Sequence, residues 1–188
     1  MRVAVTGTPG TGKTSAVEAL ETSESSDAGD AGVPQNLEVI HLNDLIEPED
    51  LYEELDEERD SYVVDLEAVA EFLDGREDVL IESHLAHHLD VDRVIVLRCA
   101  PDELERRLEA RGEANPEKAE SEASIRENAD SEALDVILAE AVDRHGRDAV
   151  YEIETTDRSP LEVAEEIRAA IEGDREPSAG TVDYTDYF

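Results

Sequence analysis

Residues 7–14 read GTPGTGKT. The spacing Gly-x-x-x-x-Gly-Lys-Thr is that of a phosphate-binding loop of the Walker A form. Such a loop wraps the phosphates of a nucleotide, here with Lys13 reaching the terminal ones and the Thr14 hydroxyl holding magnesium. The flanks agree with that reading. MRVAVT (1–6) is a short β-branched run, as a buried first strand should be. KTSAVEALE (13–21) places Ala16, Val17, Ala19 and Leu20 at helical spacing. A strand, a glycine-rich turn and a helix N-terminus aim free backbone N–H groups and the helix dipole at an anion.

Working outward, 188 residues give one domain, or one domain with appendages, and ample length for a core. The formal charge is −35, and only two residues, Lys13 and Lys118, are lysines. Acid excess spread along the chain with lysine nearly absent suits molar salt, where screening over a few ångströms quiets self-repulsion. A chain that has shed lysine almost everywhere still carries one in the loop, where a compact ammonium on a flexible stem suits phosphate. No basic stripe is present for direct, sequence-specific nucleic-acid binding. A single cysteine, Cys99, excludes an internal disulfide and fits a reducing cytoplasm. The apolar start is too short for a signal peptide, and no segment approaches a membrane span.

Apolar runs at 37–42, 78–83, 93–98 and 149–155 add four strands to the first. Between them lie helical patterns at 65–75, 101–112, 124–146 and 159–173, the second ending at Gly112 and the last capped by Ser159. The acidic stretch 43–65 is helix-prone and broken by Pro48. Residues 22–35 read as a flexible surface insertion and 113–123 as a charged loop. Strands alternating with helices indicate an α/β fold, a three-layer sandwich with a five-stranded parallel sheet covered on both faces. Ligands then sit beyond the C-terminal strand ends, so Thr6, His41, Glu82–His84 and Arg98 should face that crevice. The tail 174–188 lacks periodicity yet holds Tyr184, Tyr187 and Phe188. It reads as a frayed end, or as a segment that docks on the domain or on a partner.

Glu82 ends a strand beside the loop strand, where a Walker B carboxylate belongs and would orient magnesium or its waters. His84 could orient a water or an acceptor hydroxyl. In HLAHH (84–88), His84, His87 and His88 have spacings that a helix would align into a metal face. No further histidine or cysteine cluster completes that set, and His87 and His88 read as surface residues. On 101–112, Arg106 can pair with Asp102 and Arg107 with Glu103, while Arg111 lies one turn beyond Arg107 and makes a polyphosphate clamp with it. In the acidic stretch 51–64 the sole basic residue is Arg59, a candidate for an acceptor phosphate.

GTPGTGKT, LDEERDSYVVD, VLIESH, and RLEARG leading into IRENADSEALDVI form an ordered set. By that set the chain, from residue 2 to about 172, resembles the archaeal and eukaryotic nuclear-type adenylate kinases, the isoenzyme-six family. The resemblance implies a P-loop NTPase fold with nucleoside-monophosphate-binding and lid segments. A kinase domain would then span 1–173, with the acceptor region at 43–62 and the lid at 110–123. Gly10, Gly12, Lys13, Thr14 and Ser15 match the ATP-binding loop, Glu82 and His84 the acid-x-histidine Walker B, and Arg111 the lid arginine. The implied reaction converts ATP-Mg2+ plus AMP to two ADP, with some ATPase activity. A role in late maturation of the small ribosomal subunit is also implied, through contact with a platform ribosomal protein in the precursor particle. The chain departs from the family in having Glu82 for the usual aspartate, extra lid residues, the 22–35 insertion and the aromatic tail.

Two classes of function remain open at this level. One is a kinase of mononucleotides, and the other an ATP-driven assembly factor that holds and releases a basic ribosomal protein. A kinase of another small metabolite would keep the loop and lose the rest of the match.

Overall fold

A computed structural model describes residues 1–22, 37–56 and 61–188. All five apolar runs become strands of one sheet: β1 (Arg2–Thr6), β2 (Glu38–His41), β5 (Val79–Glu82), β6 (Arg93–Arg98) and β7 (Val150–Glu154). They pair in the order β2-β5-β1-β6-β7, every pair parallel. Successive side chains on a strand alternate between faces, which builds two cores. Val3, Val5, Ile95 and Leu97 meet Val17 and Leu20 of α1 (Lys13–Thr22) and Ile167 of α6 (Pro160–Glu172). On the other face Ala4, Ile81, Val94 and Val96 meet Val69 of α2 (Leu66–Phe72) and Leu138 of α5 (Val136–His145). The α/β sandwich is thus the predicted one. A smaller cluster of Cys99, Leu104, Leu108 and Ile125 joins α3 (Pro101–Ala114) to α4 (Glu122–Ala133) beyond the sheet's C-terminal edge.

Three expectations for local structure are corrected. The helix-prone stretch 43–65 instead forms an antiparallel hairpin of β3 (Tyr52–Asp56) and β4 (Ser61–Val64) after a turn of 3-10 helix at Leu42–Asp44. Tyr52 and Tyr62 meet across it with ring centroids 4.5 Å apart, a cross-strand contact that outweighs the helical propensity of the glutamates. The single helix expected over 124–146 is two. Asp135 between them takes a left-handed φ of +56° and binds Arg98 Nη2 at 2.5 Å. Helix α3 runs through Gly112 to Ala114, and the glycine serves close packing instead of a helix stop: a Cβ there would lie 3.1 Å from the Cα of Ala119, where the chain folds back. The stretch expected as an insertion lies outside the described residues except for Thr22, which ends α1, and Arg59 lies outside them too.

The tail lies against the domain. Glu152 of β7 accepts at Oε2 from the backbone N–H of Thr181 (2.6 Å) and Val182 (3.1 Å). Tyr184 donates to Glu154, and Tyr187 donates to Glu105 on α3.

Candidate functional site

The register Val5↔Glu82 brings the ends of β1 and β5 together, so the loop after β1 and the residues after Glu82 share one rim. Gly7 opens the loop at φ +145°, where a Cβ would sit 2.5 Å from the Leu97 carbonyl oxygen. Gly12 closes it at φ +89° and hands the chain to α1. Only glycine takes these conformations at low cost. Inside the loop, Lys13 Nζ donates to the carbonyls of Gly7 (2.8 Å) and Thr8 (3.1 Å). Burial pulls its pKa down to about 8, against the opposing pull of Glu82 and Glu132. A buried ammonium held by two carbonyls is a charge waiting for an anion.

Thr14 Oγ1 donates to Glu82 Oε1 at 3.3 Å, and Glu82 Oε2 lies 3.0 Å from His41 Nδ1. The far nitrogen of His41 is 3.1 Å from Glu21 Oε2. Burial lowers the His41 pKa, but the hydrogen bonds to Glu82 and Glu21 prevail and raise it. A hydroxyl beside a buried carboxylate is a hard-oxygen donor pair, the chemistry magnesium takes, and it sits one residue beyond Lys13. The residues present therefore fit Mg2+ with a polyphosphate. His84 borders the same space, its pKa lowered to about 4 by burial and then by Lys13 and the neighbouring His87 and His88. Its imidazole is neutral at pH 7.

Opposite the loop stands α3. Arg107 Nε donates to Glu103 at 2.8 Å, and its Nη2 donates to the Thr155 carbonyl at 2.9 Å. Arg111 forms an ion pair with Glu120. Arg106 binds Glu103, one turn back, and not Asp102 as expected. Between α3 and the loop lies a cleft of about 400 Å³. The residues matched to the family's loop, Walker B and lid line it: Gly10, Gly12, Lys13, Thr14 and Ser15 from the loop, Glu82 and His84 from the rim, and Arg111 from α3. Lys118 lines it as well, so both lysines of the chain face one cavity. With Arg107 and Arg111 they gather four cations in a protein of net charge −35.

Of the residues expected at that crevice, Thr6, His41, Ser83 and Arg98 are not in its lining. Arg98 is 1% exposed and engages Glu132 (2.7 Å), Asp135 (2.5 Å) and Glu152 in a buried network. His87, expected at the surface, is also 1% exposed. Sequence reasoning missed three positioning groups. Glu132 accepts from Thr8 Oγ1, Asn43 accepts from Ser83 Oγ (3.1 Å), and the Thr155 hydroxyl donates to the Thr11 carbonyl (2.9 Å). Lys118 alone carried a signal, its rarity. The others are joined to the site only by folding.

A second hollow, of about 250 Å³, adjoins the loop on the far side of Arg107, lined by Ala16, Thr155, Pro160 and Val163 with Arg158.

The family model for an AAA domain matches residues 3–135. A protein of Halobacterium salinarum described as "Putative adenylate kinase" is 59% identical over 188 residues, covering 100% of this chain and 99% of that one. Proteins of the same description from Natronomonas pharaonis and Methanocaldococcus jannaschii are 56% and 36% identical, each covering 100% of this chain, with 100% and 95% of their own lengths. Among solved structures, a sulfotransferase from Alicyclobacillus acidocaldarius superposes with a TM-score of 0.56 at 14% identity, covering 98% of this chain and 86% of that one. At that identity the likeness concerns the fold alone.

Proposed function

The chain belongs to the AAA-domain family and to the family of these archaeal relatives, and from that membership we propose that it is a nucleoside monophosphate kinase, moving the γ-phosphoryl of ATP to AMP. The observation that carries this reading is the convergence of Lys13, Arg107, Arg111 and Lys118 on a cleft that also holds Thr14, Glu82 and His84. Phosphoryl transfer depends on positioning and on cations at the transferring group, and this cleft supplies both.

In this reading Gly10, Gly12, Lys13 and Ser15 cradle the ATP phosphates. Thr14 and Glu82 hold Mg2+, which when bound neutralises phosphate charge. Arg111, with Lys118, faces the phosphoryl group in transit. The neutral His84 orients the attacking oxygen. The second hollow suits the ATP base, with Pro160 and Val163 on its apolar side and the Arg107 and Arg158 guanidinium planes available to stack. AMP approaches from the side of Asn43 and the region 43–62. The segment 110–123, with Arg111 and Lys118, acts as the lid that excludes water. The kinase domain would span 1–173, with 174–188 as a docked appendage.

The finer parts of the proposal are membership of the isoenzyme-six branch, ATPase activity at the same site when water replaces AMP, and service in small-subunit maturation. The net charge of −35 supports a cytoplasm of molar salt, and a surface so acidic is one that a basic ribosomal protein would suit. Among the described residues no helix is long and apolar enough to cross a membrane.

The test is ADP formation from ATP-Mg2+ in molar KCl, with and without AMP, in the wild type and in His84→Ala. The expected result is strong acceleration by AMP, two ADP per ATP used, and slower turnover in the variant. Slow hydrolysis indifferent to AMP and responsive to an added ribosomal protein would make the protein an assembly ATPase instead.

A further inference from the structure

Behind the nucleotide cleft, on the face of the sheet that carries α5, lies a cluster the proposed kinase reaction does not use. His87 and His88 sit on the 3-10 turn Ala86–His88 after β5, and Glu140 projects from α5. One ligand atom from each of the three lies within 4.8 Å of the others. His87 Nε2 is 3.0 Å from Glu140 Oε2, and His88 Nε2 is 3.8 Å from the same oxygen.

The proton inventory of His87 turns on its tautomer. Thr6 Oγ1 donates to the His84 carbonyl at 3.2 Å and lies 3.0 Å from His87 Nδ1. A hydroxyl has one proton to give. Given to the carbonyl, it leaves Oγ1 to accept from Nδ1–H, and Nε2 then carries a lone pair. That lone pair faces a carboxylate oxygen, two acceptors at 3.0 Å with nothing to join them. The other tautomer donates Nε2–H to Glu140 and accepts the Thr6 hydroxyl proton at Nδ1, at the expense of the His84 carbonyl. A metal ion lets the Nδ1–H tautomer and the Thr6 bond to the His84 carbonyl stand together. It binds the lone pair and the carboxylate together, while Nδ1–H to Thr6 supplies the outer hydrogen bond that metal-bound histidines usually make.

We propose that His87, His88 and Glu140 bind a divalent cation of the zinc class, separate from the magnesium site. Two imidazoles and one carboxylate are a borderline donor set, which suits zinc, cobalt or nickel and not magnesium. With metal–ligand bonds near 2.0–2.2 Å, tetrahedral ligand atoms stand about 3.4 Å apart, so the present 3.0 and 3.8 Å need only small side-chain shifts. His88 and Glu140 are 31% and 49% exposed, which gives an ion a way in and leaves a fourth position for water. The bound ion would tie the turn after β5, and through Thr6 the start of the phosphate loop, to α5.

The experiment titrates Co2+ into the metal-stripped full-length protein in molar KCl with excess Mg2+, read by visible ligand-field absorption. Expected is one equivalent bound with the strong absorption of low-coordinate cobalt, displaced by one equivalent of Zn2+. His88→Ala and Glu140→Gln should each weaken binding at least about tenfold while keeping the wild-type circular dichroism. Absence of that absorption, equal binding in both variants, or its loss in Glu82→Gln in place of them would overturn the proposal. The last result would put the cobalt in the magnesium site.

Discussion

Lys13 is the residue on which the proposed chemistry turns. Its ammonium is buried and held by two loop carbonyls that cannot neutralise it. Lys13→Ala should therefore lower ADP formation on the order of a hundredfold or more, with and without AMP. Unchanged steady-state rates would remove the phosphate loop from the mechanism. Arg111 is placed differently. Half-exposed and paired with Glu120, it can swing toward a phosphate without leaving a buried partner stranded. Arg111→Ala should lower kcat by about a hundredfold or more with a much smaller change in ATP affinity. Equal turnover would mean that the lid cation lies elsewhere. Residue identity made Lys13 and Thr14 legible in the sequence, since the motif fixes their neighbours. Glu132 gave no such signal. It is a helical glutamate among many until the fold sets it against Thr8 and Arg98.

At the scale of elements, the five strands of the main sheet were legible and breaks were not. A strand buried on both faces must be apolar throughout, so runs such as VLIE and RVIVLR mark themselves. The interruption between α4 and α5 is set by Asp135 reaching a strand-end arginine, a contact made only in three dimensions. The hairpin β3–β4 was hidden for a related reason. Its glutamates favour a helix, and the Tyr52–Tyr62 contact across the strands forms only once the chain has turned back on itself. The tail makes a quantitative prediction. Glu152 is 1% exposed, and Oε2 takes both tail amides and the Thr181 hydroxyl. Deleting residues 174–188 strips those donors from a buried carboxylate and should cost at least about 2 kcal/mol of stability. An unchanged urea midpoint would show that the tail contributes nothing to the fold.

Over the whole molecule, charge dominates. Arg98, fully buried, is matched by Glu132, Glu152 and Asp135, and burial of this cation is outweighed by its carboxylates, which raise its pKa. Glu132→Ala removes one of them and should destabilise the protein by about 3–5 kcal/mol in equilibrium unfolding. A loss under 1 kcal/mol would mean that Asp135 and Glu152 suffice. The surface, with a net charge of −35, repels itself at low ionic strength. The thermal midpoint should rise from about 0.1 M to 3 M KCl as the Debye length falls from about 10 Å to below 3 Å. A midpoint independent of salt would contradict that reading.

The central claim, that this cleft passes a phosphoryl group to a mononucleotide, is tested most directly with γ-labelled ATP, Mg2+ and AMP in molar KCl. Transfer to AMP puts label in ADP, in proportion to AMP consumed, with little in inorganic phosphate. Label released only as inorganic phosphate, at a rate indifferent to AMP, would contradict it.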